Sequence, residues 1–125
     1  MNSKIRPLPT SDIAGPSMTA SSYVTPEALR TGDPHECELS HLVSADGRFV
    51  VGIWSAEPYS EHVDSYGGYE YTRVIEGRVT LTDTDGVIRS FGPGDAFTIE
   101  PGWSGEYRVD ERLMKQFVYY ESDDA

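Results

Sequence analysis

The feature that most limits this chain is its punctuation. From about Glu36 onward, short runs of β-branched and aromatic residues alternate with Gly, Pro and Asp turns at nearly regular spacing. No stretch sustains an amphipathic helical period. Phe49-Val50-Val51-Gly52-Ile53-Trp54 follows Asp46-Gly47, a hairpin signal. Tyr69 to Ile75 is a second run. Arg78 to Thr82 alternates cleanly into Asp83-Thr84-Asp85-Gly86, and Val87 to Phe91 resumes on the far side. Gly92-Pro93-Gly94-Asp95, Ala96 to Ile99 and Pro101-Gly102 repeat the pattern, and Leu113 to Tyr120 closes it with alternating large side chains. Many short strands of this kind predict an all-β sandwich or barrel.

The N-terminal stretch is different. Its first 26 residues hold four prolines and eight serines or threonines, with little periodic hydrophobicity. We expect residues 1–35 to form an irregular arm and residues 36–125 the barrel. Within the arm, Pro26-Glu27-Ala28-Leu29-Arg30 before Thr31-Gly32 reads as one helical turn with a glycine stop.

Composition narrows the function classes. The 125 residues carry 21 acidic against 10 basic side chains, a net charge of −11 with neutral histidines. One domain fits this length. Such acidity repels phosphate backbones and anionic lipid, so neither nucleic acid nor a membrane surface is an expected partner. The longest clear apolar run, Phe49 to Trp54, falls far short of a bilayer span, and MNSKIRPLPTSD has no apolar signal core, so a cytoplasmic location is expected. Cys37 is the single cysteine, which excludes an internal disulfide and a thiolate-rich metal site. Phosphate loops, serine nucleophile elbows and basic–aromatic interleaving are absent.

Two stretches carry more than composition. YGGYEYTRVIEGRVTLTDTDG (66–86) and GPGDAFTIEPGWSGEY (92–107) resemble the two motifs of the cupin superfamily. Glu70 stands seven residues before the turn glycine Gly77, and Gly94-Asp95, Ala96 to Ile99 and Pro101-Gly102 supply the second motif. Gly52-Ile53-Trp54, Val74-Ile75-Glu76-Gly77 and Gly102-Trp103-Ser104-Gly105 are similar to a small single-domain cupin family. Its relatives include the cupin half of ureidoglycine aminohydrolase and the ethanolamine-utilisation cupin. The resemblance implies a double-stranded β-helix, or jelly-roll barrel, with a site in its mouth. It also implies a homodimer, because small cupins pair through their sheets.

The departures bear on chemistry. The superfamily's metal site uses an H-x-H pair before the Glu and a His in the second motif. Here the two registers counted back from Glu70 place Asp64 and Tyr66, or Val63 and Ser65, in the first slots, and Gly105 in the last. Three or four converging donors are needed, so no metal cofactor is expected. Should a divalent metal bind, His62, Asp64 and Glu70 are the candidate ligands, although Glu61-His62-Val63-Asp64 also reads as a solvated loop. His35 and His41 read as surface residues.

Glu70, Thr72 and Val74 share one strand face, which the resemblance turns inward. Lys115 shares a face with Leu113, Phe117 and Tyr119. Glu70 and Lys115 are the candidate catalytic or polar binding pair, with Trp54, Tyr66, Thr72, Phe97 and Tyr119 as candidate ligand contacts. The resemblance also implies a lysine facing the Glu. The ligand expected is a small carboxylate, amino acid or sugar acid. A hydrolase, lyase or isomerase with a degenerate metal site, and a non-catalytic dimer module, stay open beside it.

Overall fold

The computed structural model describes residues 4–8 and 18–123; the Pro/Ser-rich stretch 9–17 lies outside them. Nine strands occur in the described chain: β1 (Thr19–Ala20), β2 (Leu29–Gly32), β3 (Cys37–Val43), β4 (Phe49–Ala56), β5 (Tyr59–Val63), β6 (Gly68–Asp83), β7 (Ile88–Phe91), β8 (Ala96–Ile99) and β9 (Gly105–Glu121). All pairings are antiparallel.

The two long strands β6 and β9 form the spine, paired from Gly68↔Glu121 to Asp83↔Gly105. Each serves two neighbourhoods. The second half of β9 pairs with β4 and its first half with β5. The first half of β6 pairs with β8 and its second half with β7. The spine bends between these halves, where the register shifts between Val74 and Val79. Gly77 sits in that bend with φ +88°, and a Cβ there would lie 2.0 Å from the Arg112 carbonyl oxygen. Only glycine fits both the backbone angle and the approach. The result is a curled antiparallel half-barrel, the jelly roll expected from the motifs.

Tight turns close the hairpins where the sequence places them. Gly47 and Gly86, both at positive φ, donate to the Ser44 and Asp83 carbonyls. The main core fills the barrel with Trp54, Tyr59, Val74, Val79, Leu81, Ile99, Tyr107, Val109, Leu113 and Phe117 among its members. A second, smaller cluster lies apart from it, with Ile53 and Met114 covered by Met18 and Ile75.

Two local expectations need correction. The helical turn at Pro26 forms as expected, with the Ala28 and Leu29 amides donating to the Thr25 carbonyl, but it stops short: Leu29–Gly32 enters the sheet as β2 against β5. Gly32 is no helix stop, because its Cβ position lies 2.5 Å from the Pro58 carbonyl across that pairing. The segment Glu61-His62-Val63 is no solvated loop either: it belongs to β5, paired residue for residue with β9.

No helix among the described residues is long and apolar enough to cross a membrane.

Candidate functional site in the barrel mouth

Period-two alternation decides which side chains enter the barrel. From β6 it brings Glu70 and Thr72, from β9 Tyr107, Lys115, Phe117 and Tyr119, from β4 Val50 and Trp54, and from β5 Tyr59, Glu61 and Val63. Most of them line an open-mouthed cavity of about 420 Å³, together with Tyr23, Val24, Ser65, Tyr66, Gly67 and Glu121.

Its floor is an ion pair. Lys115 Nζ donates to Glu70 Oε2 at 2.8 Å, and both side chains are buried, each residue only 6% exposed. Thr72 Oγ1 donates to the same oxygen at 2.5 Å, and Tyr66 OH to Oε1 at 2.5 Å. The lysine also donates to Tyr107 OH at 3.3 Å and sits 5.0–5.9 Å from the ring centroids of Trp54, Tyr107 and Phe117. An ammonium enclosed by aromatic faces and a carboxylate recovers much of what it loses in leaving water. Burial pushes the Glu70 carboxyl up, but the Lys115 charge and the three hydrogen bonds outweigh it and hold the group below its ordinary range. Burial works against the lysine's charge too, and the neighbouring Glu70 outweighs it, so Nζ is held protonated. A lysine in that state is no nucleophile at neutral pH.

The walls are tied to a second layer. Trp54 Nε1 donates to Glu36 Oε1 at 3.0 Å, and Glu36 also receives Ser21 Oγ and the Val24 amide. These bonds anchor the 21–24 segment against the mouth. Tyr119 meets Tyr66 edge-on at 6.2 Å.

One carboxylate in the cavity differs from Glu70. Glu61 receives Tyr59 OH at 2.5 Å on Oε2. Burial pushes its carboxyl above the ordinary range; Tyr59 pulls it back and the charge of Glu36 adds to the rise. Sequence reasoning passed over Tyr59, read Glu61 as part of a solvated loop, and counted Tyr107 only among the aromatics that could line a pocket. The available signal was the alternation Tyr59, Glu61, Val63, which puts all three on one face once β5 is read as a strand.

Of the expected site residues, Glu70, Lys115, Trp54, Tyr66 and Tyr119 meet in this cavity. Thr72 is wholly buried beneath the pair and positions Glu70 without reaching the open space. Phe97 is a correction. It stacks on Phe91 at 4.4 Å and lines a separate hollow with Leu81 and Trp103. His41 is also corrected: it is half-buried, and its Nε2 is enclosed with no hydrogen-bond partner among the described residues.

The donor set does not fit the superfamily's metal centre. His62 and Asp64 pair with each other at 3.1 Å, the aspartate in solvent and the histidine half-buried; Glu61 and Val63 occupy the cavity face of β5, so His62 points away from Glu70. The motif positions that do reach the cavity are Val63, Ser65 and Tyr66. Gly105 has no room for a side chain, since a Cβ there would lie 2.1 Å from the Thr82 carbonyl oxygen. Among the described residues no three His, Cys, Asp or Glu side chains converge. The cation that Glu70 faces is Lys115.

Comparison with known proteins agrees with this architecture. No curated protein matches the chain. Among solved structures, the EutQ protein of Clostridium difficile superimposes with a TM-score of 0.60 at 20% identity, covering 84% of this chain and 82% of that one. The putative ethanolamine utilization protein EutQ of Salmonella typhimurium gives 0.60 at 17% identity, covering 70% and 71%. A protein of unknown function of the DUF861 family from Pseudomonas syringae gives 0.73 at 21% identity, covering 82% of this chain, which spans 43% of that protein. These likenesses concern the fold. The family model described as the EutQ-like cupin domain matches residues 43–117, more than half the sequence. The chain belongs to the EutQ-like cupin family.

Proposed function

We propose that this domain binds a small polar metabolite in the barrel mouth. The observation that carries the reading is the cavity itself: about 420 Å³, walled by Trp54, Tyr59, Tyr66, Tyr107, Phe117 and Tyr119, with a few placed polar groups. Ligand sites are built in this way, largely apolar with a small number of oriented donors and acceptors. The ionised pair at the floor is preorganised by its own hydrogen bonds, so binding need not reorder it. Small amino acids, sugar acids and amines are the classes that suit the volume.

Turnover is a second reading, favoured by Glu61. A half-buried carboxylate with a raised pKa, oriented by Tyr59, suits a proton transfer to or from a bound ligand. In this reading Glu61 is the acid–base group and the Glu70–Lys115 pair orients the ligand.

The proposal includes a homodimer in the cytoplasm. Its support is a row of exposed tyrosines, Tyr69 and Tyr71 on β6 and Tyr120 on β9, on the face opposite the cavity. Nucleic acid and membrane are not among the proposed partners.

A thermal-shift screen over small acids, amines, amino acids and sugar acids tests binding. We expect at least one class to raise Tm in the wild type and to lose its effect in Ser65→Trp, which fills the mouth. If no compound stabilises the protein, the binding reading fails and the cavity is vestigial.

A further inference from the structure

The charges around the cavity do not balance. Its described lining carries three carboxylates (Glu61, Glu70, Glu121) and one ammonium, Lys115. That ammonium is already spent on Glu70 at 2.8 Å, on the Tyr107 hydroxyl and on three aromatic faces. Its residue is 6% exposed. Two of its three N–H donors are committed and its charge is already balanced by Glu70, so it offers an anionic ligand little net attraction. The phenol that meets Glu70, Tyr66, is likewise committed, since its O–H donates to Oε1.

Glu61 is the reverse case. It stands inside the mouth, opposite Tyr107 in the β5–β9 register; no described cation lies within ion-pairing distance of it, and the charges that reach it are those of Glu36 and, more weakly, Lys115. Tyr59 supplies one hydrogen bond to Oε2, and Oε1 accepts none from any described residue. The groups around it are the Tyr59 and Tyr107 rings, with Leu29 opposite on β2 and Tyr23 at the rim. A partly desolvated carboxylate with an open acceptor, ringed by aromatic faces, is complementary to a cation in both its charge and its π surroundings.

We propose that the ligand of this cavity carries a protonated nitrogen, and that the Glu61 carboxylate receives it while the aromatic walls pack its apolar remainder. This rests on the reading of the barrel mouth as a binding site. It narrows that reading from polar metabolites in general to amines, amidines and amino compounds, and it sets simple carboxylates aside. Glu61 is then the residue that decides ligand charge. Glu70–Lys115 is a closed internal pair that shapes the floor.

The test uses three probes of similar size and different charge: 2-phenylethylammonium, 2-phenylethanol and phenylacetate, titrated by NMR at pH 7.5 and constant ionic strength. With the wild type we expect the ammonium to bind at least tenfold more tightly than the alcohol, and phenylacetate to bind most weakly. Glu61→Gln should lower the ammonium to the alcohol's affinity while leaving the alcohol within about twofold. Glu61→Asp, which keeps the charge, should retain a preference for the ammonium. Phenylacetate binding as tightly as the ammonium overturns the inference and leaves the binding site standing. An ammonium preference that survives Glu61→Gln overturns the assignment of Glu61. If none of the three binds, the inference falls together with the reading on which it rests.

Discussion

Replacing Lys115 by Met removes the cation of the floor pair while keeping a flexible stem of similar length in the aromatic cage. Glu70 then stays 6% exposed, with only Thr72 and Tyr66 as donors. At 2.8 Å and an effective dielectric constant of about 20, the lost attraction is gross about 6 kcal/mol. Relief of the lysine's own desolvation offsets part of it, so a net loss of about 3–5 kcal/mol is expected for breaking a buried pair from one side. Glu70→Gln combined with Lys115→Met removes both charges and should recover most of that loss, giving a coupling energy of about 2–3 kcal/mol in a double-mutant cycle. Urea denaturation at pH 7 measures all four proteins. The pH dependence supplies a second readout. In the wild type the folded-state pKa of Glu70 lies below its unfolded value, so its contribution is full above the unfolded pKa and is lost as pH falls through the folded one. In Lys115→Met burial acts without the cation and raises that pKa, so the variant gains stability as pH falls. The gap between the two proteins should therefore shrink toward pH 4. A loss below about 1 kcal/mol for Lys115→Met, or strict additivity in the cycle, would refute the reasoning, because both require a pair that is solvated or unformed.

Further outcomes follow from single contacts. The Glu61 pKa is raised on folding, so its ionisation costs stability as pH rises through the carboxylate range; Glu61→Gln should raise Tm at pH 7 and flatten the acid side of the stability profile, measured by differential scanning fluorimetry. Gly105→His, which restores the superfamily's missing ligand type, should destabilise by about 3 kcal/mol or more by overpacking, because its Cβ meets the Thr82 carbonyl at 2.1 Å and the Trp103 ring at 2.8 Å. A stable Gly105→His protein that binds stoichiometric Mn or Ni would contradict the packing argument. Tyr71→Glu places a charge on the exposed tyrosine face and should convert the proposed dimer to a monomer in light scattering without changing probe binding.

The strands with an apolar inner face were legible in the sequence, because Phe49–Trp54 is a run of β-branched and aromatic residues behind a turn signal, while Arg78–Thr82 and Leu113–Tyr120 show the period of a strand. The inward direction of Glu70 was legible for a different reason: its distance from Gly77 marks a motif whose bend glycine has no substitute. The alternation of Lys115 with Phe117 and Tyr119 likewise put it on the correct face. Strand β5 was hidden because its inner face, Tyr59-Glu61-Val63, includes a carboxylate, and hydrophobic periodicity does not register an inward charge. The first half of β9 was hidden because only Tyr107 and Val109 mark its inner face before the charged run Asp110-Glu111-Arg112, too few apolar positions for the alternation to stand out. Phe97 was given the inward face it has but the wrong end of the barrel, because period two gives a strand's faces but not which end of a curled sheet a residue serves. Its place depends on Phe91, a neighbour supplied by pairing through β6.

A crystal structure of the protein soaked with the compound that stabilises it most would test the account directly. The account predicts density in the mouth between Glu61 and Tyr119, above a Glu70–Lys115 pair that keeps its contact of 2.8 Å. A ligand seated elsewhere, or one that separates Lys115 from Glu70 to take its place, would contradict it.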